Sequence, residues 1–460
     1  MSNLAGAESA EIAGNSGRVR PARVLTVACL GYGMIVIDIT IVNVAIPAIR
    51  ASLHADLATM QLVIDAYVIV LASLVLAGAA AVGRYGAVRM FQLGTAIFGL
   101  ASLLCGAAPS GPVLIAMRVF QGLGAILLMP ATLVMLTQAY PSPNARARAV
   151  AVWAAVAGSP VAFGPTVGGA LVSAIGWRSI FLINVPIVAG ALWLSARFMP
   201  VAEAADRQPQ DFIGQILAAA LLGGVALALI EGQQRGWGQP IPVAAAVVAV
   251  IALVAFVFRQ RTFGYPMLPA DLLRAPGFRG FVMVGLLLFA GYYGLVFVIS
   301  IYLQQVRGYG PLATGVSFLA SALPITFMPL VAGRLNGRLG SVRLLLLAVL
   351  ITVVGAVTLI FVGSSGPVGM SAGLCGIGLG FGLATVPQIT LVMASAPAHR
   401  SALASGMLTV GRQSGTTVGV ALLGGLRSGS TISVPAFGAL VIYLLMVLAA
   451  ISAGRRLPRR

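Results

Sequence analysis

Residues 83–89 read GRYGAVR, and residues 337–343 read GRLGSVR. Each heptad follows one long apolar run and precedes another, so the same short connection with two arginines recurs 254 residues downstream (337 minus 83). A loop that returns in the same setting marks a chain built from two related halves. Two six-span halves of ordinary size would place such copies roughly 190 residues apart, at about 20 residues per span plus short loops. The surplus leaves room for two further spans between the halves.

Composition supports that reading. Hydrophobic residues make up 59% of the chain and charged residues 8%, and the mean hydropathy is +1.03. No soluble single-chain core hides that much apolar surface. A crossing helix needs about 20 apolar residues. Reading with that length gives candidate spans at 24–48, 60–82, 90–108, 111–138, 147–174, 179–199, 212–231, 241–258, 280–305, 311–333, 342–363, 367–394, 401–426 and 433–454. The expected fold is an all-α polytopic membrane protein with two six-helix bundles and two inserted transmembrane helices. Residues 1–23 form an N-terminal tail, 24–199 the first bundle, 200–279 the inserted two-helix region, 280–454 the second bundle and 455–460 a C-terminal tail.

The net charge of +18 comes from 28 basic residues, all arginine. They lie singly or in pairs at the ends of apolar runs and never gather on one polar face, which excludes a nucleic-acid partner. With a cytoplasmic N-terminus, one set of loops and both tails carry 21 arginines and the opposite side five, as the positive-inside rule requires. Both termini are then cytoplasmic. The first apolar run follows Arg18, Arg20 and Arg23 and continues without a small-residue cleavage site, so it reads as a retained span rather than a signal peptide. His54 and His399 fall in loops on opposite sides, and the cysteines have no metal-ligand spacing. No phosphate-binding loop, catalytic triad or metal cluster is visible, which argues against an enzyme or an ATP-driven pump and for a chain without cofactor or metal.

Of ten acidic residues, only Asp38 and Asp65 sit well inside long apolar stretches, and none occurs in 272–460. A carboxylate at bilayer depth costs roughly 2.5–3.5 kcal/mol on insertion scales, so it marks an ion, proton or substrate path. At 1.5 Å per residue, Asp38 lies about 21 Å from the cytoplasmic start of its span, Asp65 about 8 Å below the outer start of the next, and Arg118 about 10 Å below the outer start of span four. In a core about 30 Å thick these depths nearly coincide. Two carboxylates and a guanidinium at one level can exchange a proton when the balance of desolvation and ion pairing changes. The alternatives are a static ion pair that orients helices and, for Asp65, recognition of a cationic substrate. In the second half Arg412 and Gln413 form a polar pair about 17 Å into their span. Phe289, Tyr292, Tyr293 and Phe297 share one side of span nine, suited either to a pocket or to ordinary packing.

Several segments resemble the major facilitator superfamily, and within it the fourteen-span drug:proton antiporters. DITIVNVAIP at 38–47, QLVIDAY at 61–67, RVFQGLGAILLMPA at 118–131, GSPVAFGPTVGGAL at 158–171 with GWRSIFLINVP at 176–186, and GRQSGTTVGVALLG at 411–424 carry the resemblance. It implies a proton-coupled antiporter that exports hydrophobic, cationic drugs or toxic compounds by alternating access. Asp38, Asp65 and Arg118 would then serve proton coupling, and Asn43, Gln121, Tyr292, Tyr293, Arg412 and Gln413 the substrate cavity. Gly158, Gly164, Pro165, Gly168 and Gly169 match the antiporter helix motif. Arg84, Gly86, Arg89, Arg338, Gly340 and Arg343 match the cytoplasmic gate loops, except that Gly83 stands where the family usually carries an aspartate. A dedicated exporter of an endogenous metabolite or antibiotic, and an uncoupled facilitator, stay open as alternatives. The expected setting is the bacterial cytoplasmic (inner) membrane. Expected partners are protons, a small hydrophobic substrate and membrane lipids, with an envelope-spanning accessory partner left open.

Overall fold

The computed structural model describes residues 20–55, 57–199, 211–266, 268–309, 311–363, 365–425 and 432–456. Within them the chain is helical throughout. The long helices are α1 (Pro21–Leu53), α2 (Leu57–Tyr85), α3 (Ala87–Gly106), α4 (Gly111–Ala139), α5 (Pro143–Ile175), α6 (Asn184–Phe198), α7 (Phe212–Arg235) and α8 (Pro240–Thr262). They continue with α9 (Phe278–Ile301), α10 (Pro311–Leu339), α11 (Ser341–Val362), α12 (Pro367–Ser395), α13 (Ser401–Gly425) and α14 (Ser433–Arg455). A single turn, Ser179–Leu182, leads into α6, and another, Ala270–Arg274, precedes α9.

Proline opens α1, α5, α8 and α12, where its fixed φ suits the first turn and its missing N–H is not needed. Gly176 and Gly236, with φ of 99° and 101°, end α5 and α7. Pro130 in α4 and Pro387 in α12 lie inside buried helices, which membrane helices tolerate where packed neighbours compensate. The two arginine heptads take one shape. Gly86 and Gly340 hold φ of 91° and 78° and stand before α3 and α11, a backbone that side chains with a Cβ rarely adopt. The sequence repeat is thus also a backbone repeat.

Among the described residues, eleven helices are long and apolar enough to cross a membrane, and twelve if the bent pair Leu62–Leu71 and Ser73–Tyr85 counts as one span. Helices α5 and α13, expected as spans, also form, at 33 and 25 residues, and in α13 the Arg412–Gln413 pair and several Gly, Ser and Thr residues lower the hydropathy.

Helix α1 packs against α4, α5 and α6, and α4 against α2 and α3; in the second half α9 packs on α12, α13 and α14, and α11 on α12 and α14. The two groups meet where α5 touches α10 and α12, and where α13 touches α2 and α4. Helices α7 and α8 pair with each other, and α7 lies along α2 and α13. Asp211 caps α7 by accepting from the Gly214 N–H at 2.9 Å and pairs with Arg259 Nε of α8 at 3.0 Å.

The contacts between halves are tight near the arginine-rich ends. A methyl at Gly406 would press on Ala79, one at Gly333 on Ala151, and one at Gly83 would meet Ala402 at 3.7 Å. A larger side chain at Gly406 is therefore expected to hold these ends apart. In a chain whose three cysteines are replaced by alanine, Ser405→Cys should be labelled faster by a membrane-impermeant maleimide from the arginine-rich side once Gly406→Leu is added. Equal labelling rates would show that these ends do not gate access.

Candidate functional site

Two buried polar centres lie in the helix bundle. The first surrounds Asp38, which is 1% exposed. Its Oδ2 accepts from Arg118 Nη1 in an ion pair, and its Oδ1 accepts from Gln121 Nε2 at 2.9 Å and Asn184 Nδ2 at 3.2 Å. Arg118 also donates to Gln121 Oε1 at 2.6 Å and to the Val63 carbonyl at 3.1 Å, and its guanidinium stacks 4.4 Å from the Tyr67 ring. Ser102 Oγ accepts from both amides, at 2.9 Å from Gln121 and 3.3 Å from Asn184. Every first-half helix except α5 contributes a residue here: Asp38 from α1, Tyr67 from α2, Ser102 from α3, Arg118 and Gln121 from α4, Asn184 from α6.

Such a network is strong because all its members are satisfied together in a low dielectric. Two atoms depart from that rule. The Tyr67 hydroxyl and Asn184 Oδ1 are buried without a partner, leaving one donor and one acceptor that a change of protonation could recruit. A carboxylate only accepts, whereas its protonated form donates once. Protonation of Asp38 therefore cannot leave these hydrogen bonds unchanged.

The second centre lies between the halves. Tyr32, Met129, Leu133, Trp153, Phe289, Ser405, Leu408, Thr409, Arg412 and Gln413 enclose a cavity of about 40 Å³. Helix positions place Tyr32, Met129, Trp153, Phe289 and Arg412 each about 15–17 Å from the arginine-rich ends of their helices, which is mid-membrane depth. Tyr32 and Trp153 stack at 4.1 Å with an interplanar angle of 21°. Phe289 forms the other wall, and behind it Phe289, Tyr292, Tyr293 and Phe381 of α12 make an aromatic cluster at centroid separations of 4.9–5.7 Å. Arg412 donates through Nη2 to Gln388 Oε1, while Gln388 Nε2 donates to the Phe281 carbonyl at 3.2 Å.

The structure thus brings Asp38, Arg118 and Gln121 into one centre, and Arg412 and Gln413 into the other. Gln121, expected at the cavity, belongs instead to the Asp38 network. Tyr292 is turned into the packing, its hydroxyl 3.4 Å from Ser321 Oγ. The side chains of Asp65, Asn43 and Pro165 lie outside the described residues. Gly158 sits against Ile325 and Thr326 of α10, Gly164 against Thr40 and Gly168 against Ile41 of α1, so the glycine face of α5 serves both a contact between halves and one inside the first half. Gly169 is half-buried beside it. Arg89, Arg338 and Arg343 are exposed, and Arg84 is half-buried with its guanidinium 5.6 Å from the Tyr85 ring.

Sequence reading did not single out Ser102, Asn184, Tyr67, Tyr32, Trp153 or Gln388. Ser102 and Asn184 carried a signal, as polar residues within expected spans. Tyr32 and Trp153 carried none, since aromatic residues are common throughout membrane helices.

Comparison with known proteins agrees with this architecture. The Major Facilitator Superfamily pattern matches residues 28–420. The chain is 35% identical to the methylenomycin A resistance protein of Bacillus subtilis (strain 168), over 87% of this chain and 86% of that protein. It is 33% identical to the methylenomycin A resistance protein of Streptomyces coelicolor (strain ATCC BAA-471 / A3(2) / M145), over 91% and 88%. It is 34% identical to the multidrug resistance protein Stp of Mycobacterium tuberculosis (strain CDC 1551 / Oshkosh), over 87% and 75%. Among solved structures, the human organic anion transporter MFSD10 (TETRAN) superposes with a TM-score of 0.67 at 16% identity, covering 94% of this chain and 99% of that one. The proton:xylose symporter XylE bound to 6-bromo-6-deoxy-D-glucose superposes with a TM-score of 0.65 at 12% identity, covering 95% and 96%. A multi-pass helical protein with two buried polar centres, matched over most of its length by this family and by resistance proteins, belongs to the major facilitator superfamily and is a transporter rather than an enzyme.

Proposed function

We propose that the chain is a proton-coupled antiporter of the fourteen-span branch, exporting hydrophobic compounds from the bacterial cytoplasm or inner leaflet by alternating access. The observation that carries this reading is Asp38, an acid in a helix core held by one guanidinium and two amides. A chain with few acids keeps such a group at depth for protons or ions. The relatives named for resistance and efflux support the direction of transport.

In this reading α1–α6 and α9–α14 are the two rocking bundles, α7 and α8 are the insertion, and both termini face the cytoplasm. The arrangement with Gly406 on Ala79 and Gly333 on Ala151 is then closed on the cytoplasmic side. Arg84, Gly86, Arg89, Arg338, Gly340 and Arg343 form the paired gate loops there. With Gly83 facing Ala402, closure on that edge rests on apolar contact rather than on a carboxylate at this position. Asp65 joins Asp38 and Arg118 in coupling.

A second reading, export of one antibiotic, has its own support: relatives carry the names of methylenomycin A, puromycin and tetracenomycin C. Everted membrane vesicles test both. Uptake of these three compounds and of ethidium is followed with an imposed pH gradient and after its collapse. Uptake of at least one compound that stops when the gradient collapses is the expected result, and uptake of a single one favours the narrow exporter. Uptake indifferent to the gradient points to a facilitator and overturns proton coupling.

A further inference from the structure

The chemical class of substrate follows from the charge of the central cavity. Among the described residues that line it, Arg412 is the only charged one. It is 8% exposed, and its Nε has no partner. The contacts it does make are with a neutral amide, Gln388 Oε1, and with the face of Phe289, whose centroid lies 5.1 Å from the guanidinium carbon. Among the described residues none of the cavity's lining is a carboxylate, and the acids of α2 and α7, which also pack on α13, are Asp65 and Glu231, each about 12 Å farther than Arg412 from the arginine-rich ends by helix position. Helices α4, α5, α9, α12 and α13 contain no acidic residue at all. The acid of α1, Asp38, is taken up by Arg118, Gln121 and Asn184.

A guanidinium at mid-membrane depth without a counter-charge is expensive to keep. Its planar fork suits an oxyanion, above all a carboxylate, which it can grip through two parallel hydrogen bonds. The walls suit the rest of such a ligand. The stacked Tyr32 and Trp153 and the opposite Phe289 present apolar rings, and Gln413 adds an amide beside Arg412. A cationic drug would meet repulsion here instead. At about 40 Å³ the cavity has room for only a few water-sized molecules, well below the roughly 300–1,000 Å³ of sites that hold drug-sized ligands. Substrate must therefore enter when the halves part, and Arg412 of α13 with Tyr32 of α1 and Trp153 of α5 would close on it from the two sides.

We propose that the cavity between the halves selects aromatic or planar apolar compounds bearing a carboxylate, held by Arg412, rather than cations. The proposal rests on the exporter reading for the use of the site, but its test needs no gradient. Equilibrium dialysis of the full chain in nanodiscs, with empty nanodiscs subtracted, compares 2-naphthoate, 2-naphthamide and 2-naphthylmethylammonium, which share one ring system and differ in charge. The native chain should bind naphthoate at least about tenfold more tightly than the ammonium compound, the scale of one charge-assisted hydrogen bond. Arg412→Gln should erase that order, and Arg412→Lys, which keeps the charge, should retain it with weaker binding. Ammonium bound as tightly as naphthoate by the native chain, or no naphthoate binding, overturns the proposal without recourse to any variant. An unchanged order in folded Arg412→Gln, or its loss in folded Arg412→Lys, does the same. Loss of gradient-driven uptake in vesicles with the naphthoate preference intact would instead refute antiport and leave the anion site standing.

Discussion

Asp38→Asn is expected to abolish the ability of this transporter to concentrate substrate against its gradient. One pH unit is worth about 1.4 kcal/mol per proton, so a one-to-one exchanger working across two units can hold a substrate ratio of about 100. Asparagine cannot take up and release a proton in this range, and the ratio should fall to about one. The change is small in shape. The Asn side chain keeps an oxygen for Arg118, which also retains the Val63 carbonyl and Gln121 Oε1, so folded protein should still reach the membrane. The measurement is steady-state accumulation in everted vesicles at equal protein level, with and without the pH gradient. Accumulation by the variant equal to that of the native chain would remove Asp38 from the coupling step. If the cargo is a monovalent anion, exchange for one proton moves two charges in the same electrical sense. Each then adds about 2.3 kcal/mol per 100 mV to the driving force. An exporter of acids draws more from the same membrane than an exporter of cations, for which the electrical contributions cancel.

How much of this was legible beforehand depended on whether a signal is carried by residue type or by packing. The recurring connection in GRYGAVR and GRLGSVR was legible, and the positive φ of both Gly86 and Gly340 shows why glycine recurs at that place. Asp38 and Arg118 were legible because ionisable groups are rare in apolar runs and need a partner. Their neighbours were not. Ser102 and Asn184 become visible only when α3 and α6 are packed against α1, since a single serine or asparagine in a span has many harmless uses. Gln121 was assigned to the cavity from its motif, yet a glutamine three residues after Arg118 lies on the same helix face, and in the structure that face points to Asp38. The expectation of a cationic cargo came from family resemblance and the intramembrane carboxylates. The described cavity wall carries a cation instead, a fact that depends on α13 and α9 meeting α1 and α5 and that no local pattern encodes.

The largest effect on folding should come from Arg118→Leu. It leaves Asp38 buried with only the amides of Gln121 and Asn184 to meet its charge, and removing one partner of a buried pair costs about 3–5 kcal/mol. The Val63 carbonyl loses its Arg118 bond, and Tyr67 loses the cation stacked on its ring. Thermal unfolding in detergent should therefore show a large drop for Arg118→Leu, a smaller one for Asp38→Asn, and less than their sum for the double variant, because the double leaves no uncompensated charge. Groups in one network couple by about 0.5–3 kcal/mol. This cycle separates the two roles the pair could have. Were Asp38 and Arg118 only a brace between α1 and α4, restoring the fold in the double variant would also restore gradient-driven transport. A proton carrier predicts the opposite: the double variant recovers stability relative to Arg118→Leu and stays unable to concentrate substrate. Recovery of both would show that the pair orients helices and that the coupling proton binds elsewhere, which would make Asp65, the other acid in a first-half span, the group to test next.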